Sequence, residues 1–300
     1  MHAGIGRGVG VTEFLHGGAD VAAIALFALL TQLGDVWFLF ALGSALYVAG
    51  TVLPGSSVDR RRGLFVLALV FAYVALVGAV KAVFGLPRPP GAADAPAVAW
   101  LPSVLAAVFE SAATGTGPGF PSGHALGTTM VWGGTALVHD GLCDRVRFGV
   151  AGVVVAVVAT SRLVLGVHYT VDVLAGVGLG LAVLWVCYRL AAGGVAPGRV
   201  LAVAVAAGAA GLVLDGSGES VAAAGAAVGA WLAWRAVADA TPDRSATRRA
   251  TLVGALVLIP VGGLFGALYV LGPPAPIAFA GAAVAGGGVV AAPALGDRLT

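Results

Sequence analysis

From residue 36 onward the chain alternates between apolar stretches of membrane-crossing length and short polar connections. A bilayer core of roughly 30 Å needs about 20 helical residues at 1.5 Å each. Residues 36–53 form the first clear span, followed by 64–80, 125–138, 148–160, 173–187, 200–214, 221–234, 252–271 and 277–295. Residues 21–33 are apolar but short, and fit a true span, an interfacial helix or a re-entrant one. The pattern predicts an all-α polytopic membrane bundle of nine or ten membrane helices.

Composition agrees with that pattern. Apolar residues make up 59% of the 300 and charged residues 10%, whereas a soluble domain carries about a quarter charged. The basic residues form no long run and the net charge is only +2, so no nucleic-acid partner is expected. Cys143 and Cys187 are too few for a disulfide framework and read as packing residues. Glu13 and Asp20 stand where a secretory leader needs a basic region, so the N-terminus is expected to stay in the mature chain.

The cations give the orientation. Arg60, Arg61, Arg62, Arg145, Arg147, Arg189, Arg199, Arg235, Arg244, Arg248, Arg249 and Arg298 fall on one side if each segment spans once. They are twelve of the 16 basic residues, which makes that side cytoplasmic. Arg7 joins them if residues 21–33 span. Lys81, the sole lysine, with Arg88 and Arg162, falls on the opposite side. Snorkelling to headgroups is the ordinary account of such cations, but three exceptions on one face point to an anion site.

Three short patterns share that face. In KAVFGLPRP, Gly85, Pro87, Pro89 and Pro90 break the helix, putting Lys81 and Arg88 at the mouth of a loop. Pro121-Ser122-Gly123-His124 opens an apolar helix. There Ser122 is a good N-cap, and the unsatisfied first-turn N–H groups attract an anion. Taken alone, the tetrapeptide is equally a plain helix start. In SRLVLGVHYTVD, His168 and Asp172 are four residues apart, hence on one face if the segment is helical. A carboxylate on one ring nitrogen leaves the other free to attack, although a purely structural pair has the same spacing. Three cations with backbone donors match the charge and oxygen count of a phosphate. No Cys, His or carboxylate cluster has metal-ligand spacing, so neither a metal nor another cofactor is expected.

These patterns resemble the type 2 phosphatidic acid phosphatase superfamily, whose signature is K-x6-RP, PSGH and SR-x5-H-x3-D. Lys81, Arg88 and Pro89; Pro121, Ser122, Gly123 and His124; and Ser161, Arg162, His168 and Asp172 fill every specified position in order. The resemblance implies a six-helix phosphatase core over residues 1–192; residues 193–300 depart from the family pattern and are expected to add about four transmembrane helices of unassigned role. It implies that Lys81, Arg88, Arg162, Ser122 and the Gly123 N–H bind phosphate, with Pro89, Pro121 and Ser161 in support. His168 would be the nucleophile, forming a phosphohistidine, Asp172 its orienting group, and His124 the acid and base at the leaving oxygen.

The implied activity is metal-independent hydrolysis of a lipid phosphate monoester or diphosphate, phosphatidate-like or polyprenyl, in the cell membrane with the site on the non-cytoplasmic face. A phosphotransferase with an alcohol or sugar acceptor, or a lipid transporter or scaffold with a vestigial site, are the rival readings. The related vanadate-dependent haloperoxidases are soluble, and the hydropathy speaks against them. Residues 100–112 are expected to form an amphipathic surface helix in the loop between the first two motifs, with Glu110 and Asp94 solvated. Gly225/Gly229 and Gly262/Gly266 are expected to pack helices closely, and Pro260 to kink its helix. Asp215 and Glu219 read as a solvated outer turn, and His2, His16 and His139 as incidental.

Overall fold

The computed structural model describes residues 7–53, 56, 58–95, 102–238 and 247–300, and every regular element among them is helical. In chain order these are α1 (Val11–Gly17), α2 (Val21–Leu30), a 3-10 turn (Thr31–Gly34), α3 (Val36–Ala49), α4 (Arg60–Phe84), α5 (Ser103–Ala113), α6 (Gly123–Val138), α7 (Asp144–Val164), α8 (Thr170–Leu190), α9 (Pro197–Leu214), α10 (Gly218–Val237), α11 (Arg248–Leu271) and α12 (Ala275–Arg298). Local chemistry sets many starts. Asp20, Asp35, Asp59, Ser122, Ser217 and Thr247 each accept a first-turn N–H with their side chain, satisfying a donor the helix itself leaves open.

Among the described residues seven helices, α4 and α7 to α12, are long and apolar enough to cross a membrane. The shorter α3 and α6 lie beside α4, which is buried along most of its length. Glycines set the spacing: a Cβ on Gly63 would lie 2.4 Å from the Leu46 carbonyl oxygen. Phe40 meets Phe71 edge-on further along the same pair. On the other flank α9 and α10 pack against α4, so the C-terminal helices cover a face of the same central helix. Cutting the chain at residue 192 would uncover that face.

One end of the bundle is tied by ion pairs from Arg60 to Asp297 and from Arg62 to Asp140. They join the start of α4 to the end of α12 and to the turn that follows α6.

Several sequence expectations are corrected. Helix α1 and the α2–3-10 segment meet at 117°. Arg7 before them and Asp35 after them both reach the end of the bundle opposite Arg60, so residues 21–34 turn back rather than span. Arg7 therefore lies at the end of the bundle opposite Arg60, Arg61 and Arg62. Cys143 is exposed at the start of α7, while Cys187 is buried. Gly225 and Gly229 bring α10 onto α12, where a Cβ on Gly229 would lie 1.9 Å from the Ala283 carbonyl oxygen. Gly262 and Gly266 face open space instead, and α11 meets α12 through other residues, Leu268 against Gly281 and Val261 against Gly288. Helix α5 starts at Ser103 and buries Phe109 and Ala112 against Ile24 and Ala28 of α2. Trp100, His2 and Arg244 lie outside the described residues.

Candidate active site

Three helix breaks meet at the end of the bundle opposite Arg60. Helix α4 ends with Lys81 in its last turn, stopped by Gly85 in the left-handed conformation (φ 57°), which glycine adopts without a Cβ clash. The chain then runs on without helix through Arg88 and Pro89. At the start of α6, Ser122 is fully buried. Its Oγ accepts from the Ala125 N–H at 3.4 Å, and its own N–H donates to the Asp172 carbonyl at 2.9 Å. Gly123 packs on α4, where a Cβ would sit 3.1 Å from Val77. The third break is the turn from α7 to α8, with Arg162 in the last turn of one and Asp172 in the first turn of the other.

His168 sits on the bend between them, only 2% exposed. It precedes α8, so the expected one-face helical pair with Asp172 does not form. The two still approach because Asp172 folds back over the helix start. Its Oδ2 accepts the Tyr169 N–H at 3.0 Å and lies 3.6 Å from His168 Nδ1, beyond direct hydrogen-bond length. Arg88 Nη1 lies 3.0 Å from His168 Nε2 and donates to the Val167 carbonyl at 2.9 Å. A guanidinium can only donate, so this contact assigns the lone pair to Nε2 and the ring proton to Nδ1, facing Asp172.

Arg162 is 3% exposed and donates through Nη1 to Thr31 Oγ1 at 3.1 Å and the Ala112 carbonyl at 3.3 Å. Its Nε is buried without a hydrogen-bond partner. Ser161 Oγ donates to the Val157 carbonyl at 2.7 Å, a back-bond within α7.

Burial first, then the positive charges of Arg88, Arg162, Lys81 and His124, hold the His168 imidazole well below its usual range. Three separated stretches thus act electrostatically on one ring. The ring stays neutral as pH falls through the ordinary imidazole range, whereas the unfolded chain takes up a proton there, so acidification disfavours the fold. Between pH 7.5 and 5.5 the wild type should lose more Tm than His168→Gln does. Thermal melts at both pH values check this, and equal losses would contradict it.

Two charged residues of the site were not anticipated. Arg7 Nη1 pairs with Asp172 Oδ1 at 2.9 Å, and its Nη2 donates to the Pro87 carbonyl at 2.6 Å. The guanidinium also lies 4.8 Å over the Tyr169 ring. Thr12 Oγ1 donates to the His168 carbonyl at 3.2 Å, and His16 Nδ1 lies 2.9 Å from the Val164 carbonyl. His16 is therefore part of an N-terminal strap over the α7–α8 turn and not incidental. Asp35, which caps α3, places Oδ2 3.6 Å from His124 Nε2. Burial works to raise the Asp35 carboxyl, but the His124 ring, the Trp37 N–H and Arg162 outweigh it and leave the group below its usual value. No motif flags Arg7 or Asp35. The only local signal is the helix-cap position of Asp35.

The turn between α9 and α10 also approaches this end. A Cβ on Gly78 of α4, one turn before Lys81, would lie 2.9 Å from Ser220 Oγ. Asp215 is taken up by the Ser217 and Ser220 hydroxyls, while Asp94 and Glu110 are exposed.

Residues 62–194 match the family model of the PAP2 superfamily. This region belongs to that superfamily. The PAP2 region contains all three breaks, from Lys81 to Asp172. Arg7, Thr31 and Asp35 lie before it and α9 to α12 after it. The PAP2 match and the all-helical fold support a phosphatase-type activity. No curated protein and no solved structure matches the chain.

Proposed function

We propose that this is a multi-pass membrane phosphatase that hydrolyses a lipid phosphate monoester or diphosphate through a phosphohistidine. The observation that carries the proposal is the buried His168 ring, with its Nε2 lone pair held on the Arg88 guanidinium and Nδ1 turned to Asp172. In that resting arrangement Arg88 occupies the attacking atom. A phosphate entering the site offers Arg88 charged oxygens, which are stronger acceptors than a neutral imidazole. Arg88 moves onto them and Nε2 is released beside the phosphorus. Lys81, Arg162, the Ser122 hydroxyl and the Gly123 N–H complete the charge and hydrogen-bond shell.

Nε2 then attacks phosphorus, the bond to the lipid oxygen breaks, and His124 gives that oxygen a proton. The ring carries positive charge while it holds the phosphoryl group, and Asp172 offsets it. In the second half His124 takes a proton from water, the water oxygen bonds to phosphorus, the N–P bond breaks, and phosphate and neutral His168 are restored. The end rich in arginine faces the cytoplasm by the positive-inside rule, which turns the site to the outer leaflet of the cell membrane. There the bilayer delivers an amphiphile sideways to headgroup depth.

Purified full-length protein in detergent with EDTA, given dioctanoyl phosphatidate, a polyprenyl diphosphate and glucose 6-phosphate, tests the proposal. Phosphate release from one of the lipids, faster than from the sugar and blocked by vanadate, is expected. No release from either lipid overturns it, and phosphoryl transfer to added glycerol in place of release would make the enzyme a transferase.

Burial and Arg162 hold the His124 ring below its usual range, so it takes its proton with the bound phosphate. Asp35 acts here as a positioning residue that favours that proton for departure of the lipid oxygen. Asp35→Asn should lower kcat about tenfold on an alkyl phosphate but little on p-nitrophenyl phosphate, whose leaving group needs no proton. Equal loss on both substrates would make Asp35 merely structural.

A further inference from the structure

At the far end of the bundle from His168, a cavity of about 360 Å³ opens between the starts of α4 and α9 and the end of α10. Three arginines line it, one from each helix: Arg61, Arg199 and Arg235. Its lining among the described residues includes no acidic side chain. Two tryptophans form the remaining wall and hold the guanidinium planes, with Arg61 lying 5.8 Å over Trp234 and Arg235 5.1 Å over Trp231. Arg199 spends one donor on the Leu190 carbonyl at 3.0 Å. Gly198 makes the wall possible, because a Cβ there would lie 2.3 Å from Trp234 Nε1. Helix α9 also begins in this cavity without a side-chain cap. Pro197 has no N–H, and the Ala196 and Arg199 N–H groups go to the Ala191 and Ala196 carbonyls, which leaves the Gly198 N–H for an anion.

We propose that this cavity binds the phosphate headgroup of an anionic membrane lipid, in the leaflet opposite the catalytic site. Arg199 of α9 and Arg235 of α10 present forked donors to phosphate oxygens, with Arg61 of α4 lying over Trp234 beside them, and a cavity between helices at the basic end of a bundle suits a lipid headgroup. Tryptophan belongs at the depth where headgroup meets acyl chain. The surface beside the cavity suits the lipid's tails, since Leu232 of α10 is 55% exposed and Val195, just before α9, is 44% exposed. Free phosphate would make no use of those apolar neighbours. Arg61 extends from α4, the helix that carries Lys81 at its other end, so a lipid here also joins the C-terminal helices to the PAP2 region.

Dioctanoyl phosphatidylglycerol is a suitable probe, because its phosphodiester is not a substrate for a monoesterase or diphosphatase. Titrated into full-length protein in detergent and followed by microscale thermophoresis, it should bind wild type and His168→Ala equally. Arg199→Gln/Arg235→Gln should bind about tenfold more weakly or worse, and Arg235→Gln alone about threefold more weakly. The lipid-free Tm of each variant reports its folding, and the exposed single variant carries the test if the double variant fails to fold. Unchanged affinity in the folded variants overturns the proposal. So does loss of binding in His168→Ala, equal binding of dioctanoyl phosphatidylcholine, or displacement by inorganic phosphate at matched concentration.

Discussion

His168→Ala should release no phosphate above background from any substrate the wild type turns over, a loss on the order of 10⁴-fold or more. The size follows from the covalent route: without Nε2 there is no atom to accept the phosphoryl group, and the cations and His124 alone cannot split the reaction into two steps. The substitution leaves most of the fold's support in place. Thr12 donates to the backbone carbonyl of residue 168, not to the ring, and Arg88 keeps the Thr116 and Val167 carbonyls. Loss of turnover with a retained Tm therefore isolates the chemistry. Wild type quenched in base during turnover of ³²P-labelled lipid should carry acid-labile label that the Ala variant lacks. Label retained on His168→Ala, or turnover within tenfold of wild type, would remove the nucleophile assignment.

Arg162→Lys should cost a further large factor, on the order of 10²- to 10³-fold in kcat, although the charge is conserved. Arg162 has two tasks. Nη1 holds Thr31 Oγ1 and the Ala112 carbonyl, tying the re-entrant segment and α5 to the end of α7. Its other donors are left for a phosphoryl oxygen in a pocket where the side chain is 3% exposed. A lysine ammonium is a point donor on a flexible stem, and it cannot hold two loop oxygens and fork onto a phosphate at once. Steady-state kinetics on a lipid phosphate, with the Tm as control for folding, measure the effect. A lysine variant that keeps half of wild-type kcat would show that only the charge of Arg162 matters.

The Arg7 contacts bear on both results. They link residue 7 to the carboxylate behind the nucleophile and to the carbonyl of Pro87, next to Arg88. The N-terminal strap is thus tied to both walls of the proposed phosphate pocket. Positive-inside counting groups Arg7 with the twelve arginines only if residues 21–33 cross, and the contact with Asp172 puts Arg7 at the other end of the bundle. Ten apolar residues followed by Thr31, Gln32, Gly34 and Asp35 lack the length to cross, but where such a segment docks depends on α5 and α7, which lie far along the chain.

What the sequence determined by itself is what depends on neighbours in the chain. Hydropathy over each window sets the helices, and capping side chains such as Asp59 and Ser122 set their starts. Gly85 ends α4, and the spacing of the three motifs put Lys81, Arg88, His124, Arg162 and His168 at one end of the bundle. Tertiary structure alone decided which groups across large sequence separations touch. It paired Arg7 with Asp172 and Asp35 with His124, put Arg88 on Nε2, and turned Gly262 and Gly266 outward while burying Gly229. Such contacts depend on how helices rotate and seat against one another, and an apolar helix with little amphipathic contrast carries no local pattern that fixes its rotation.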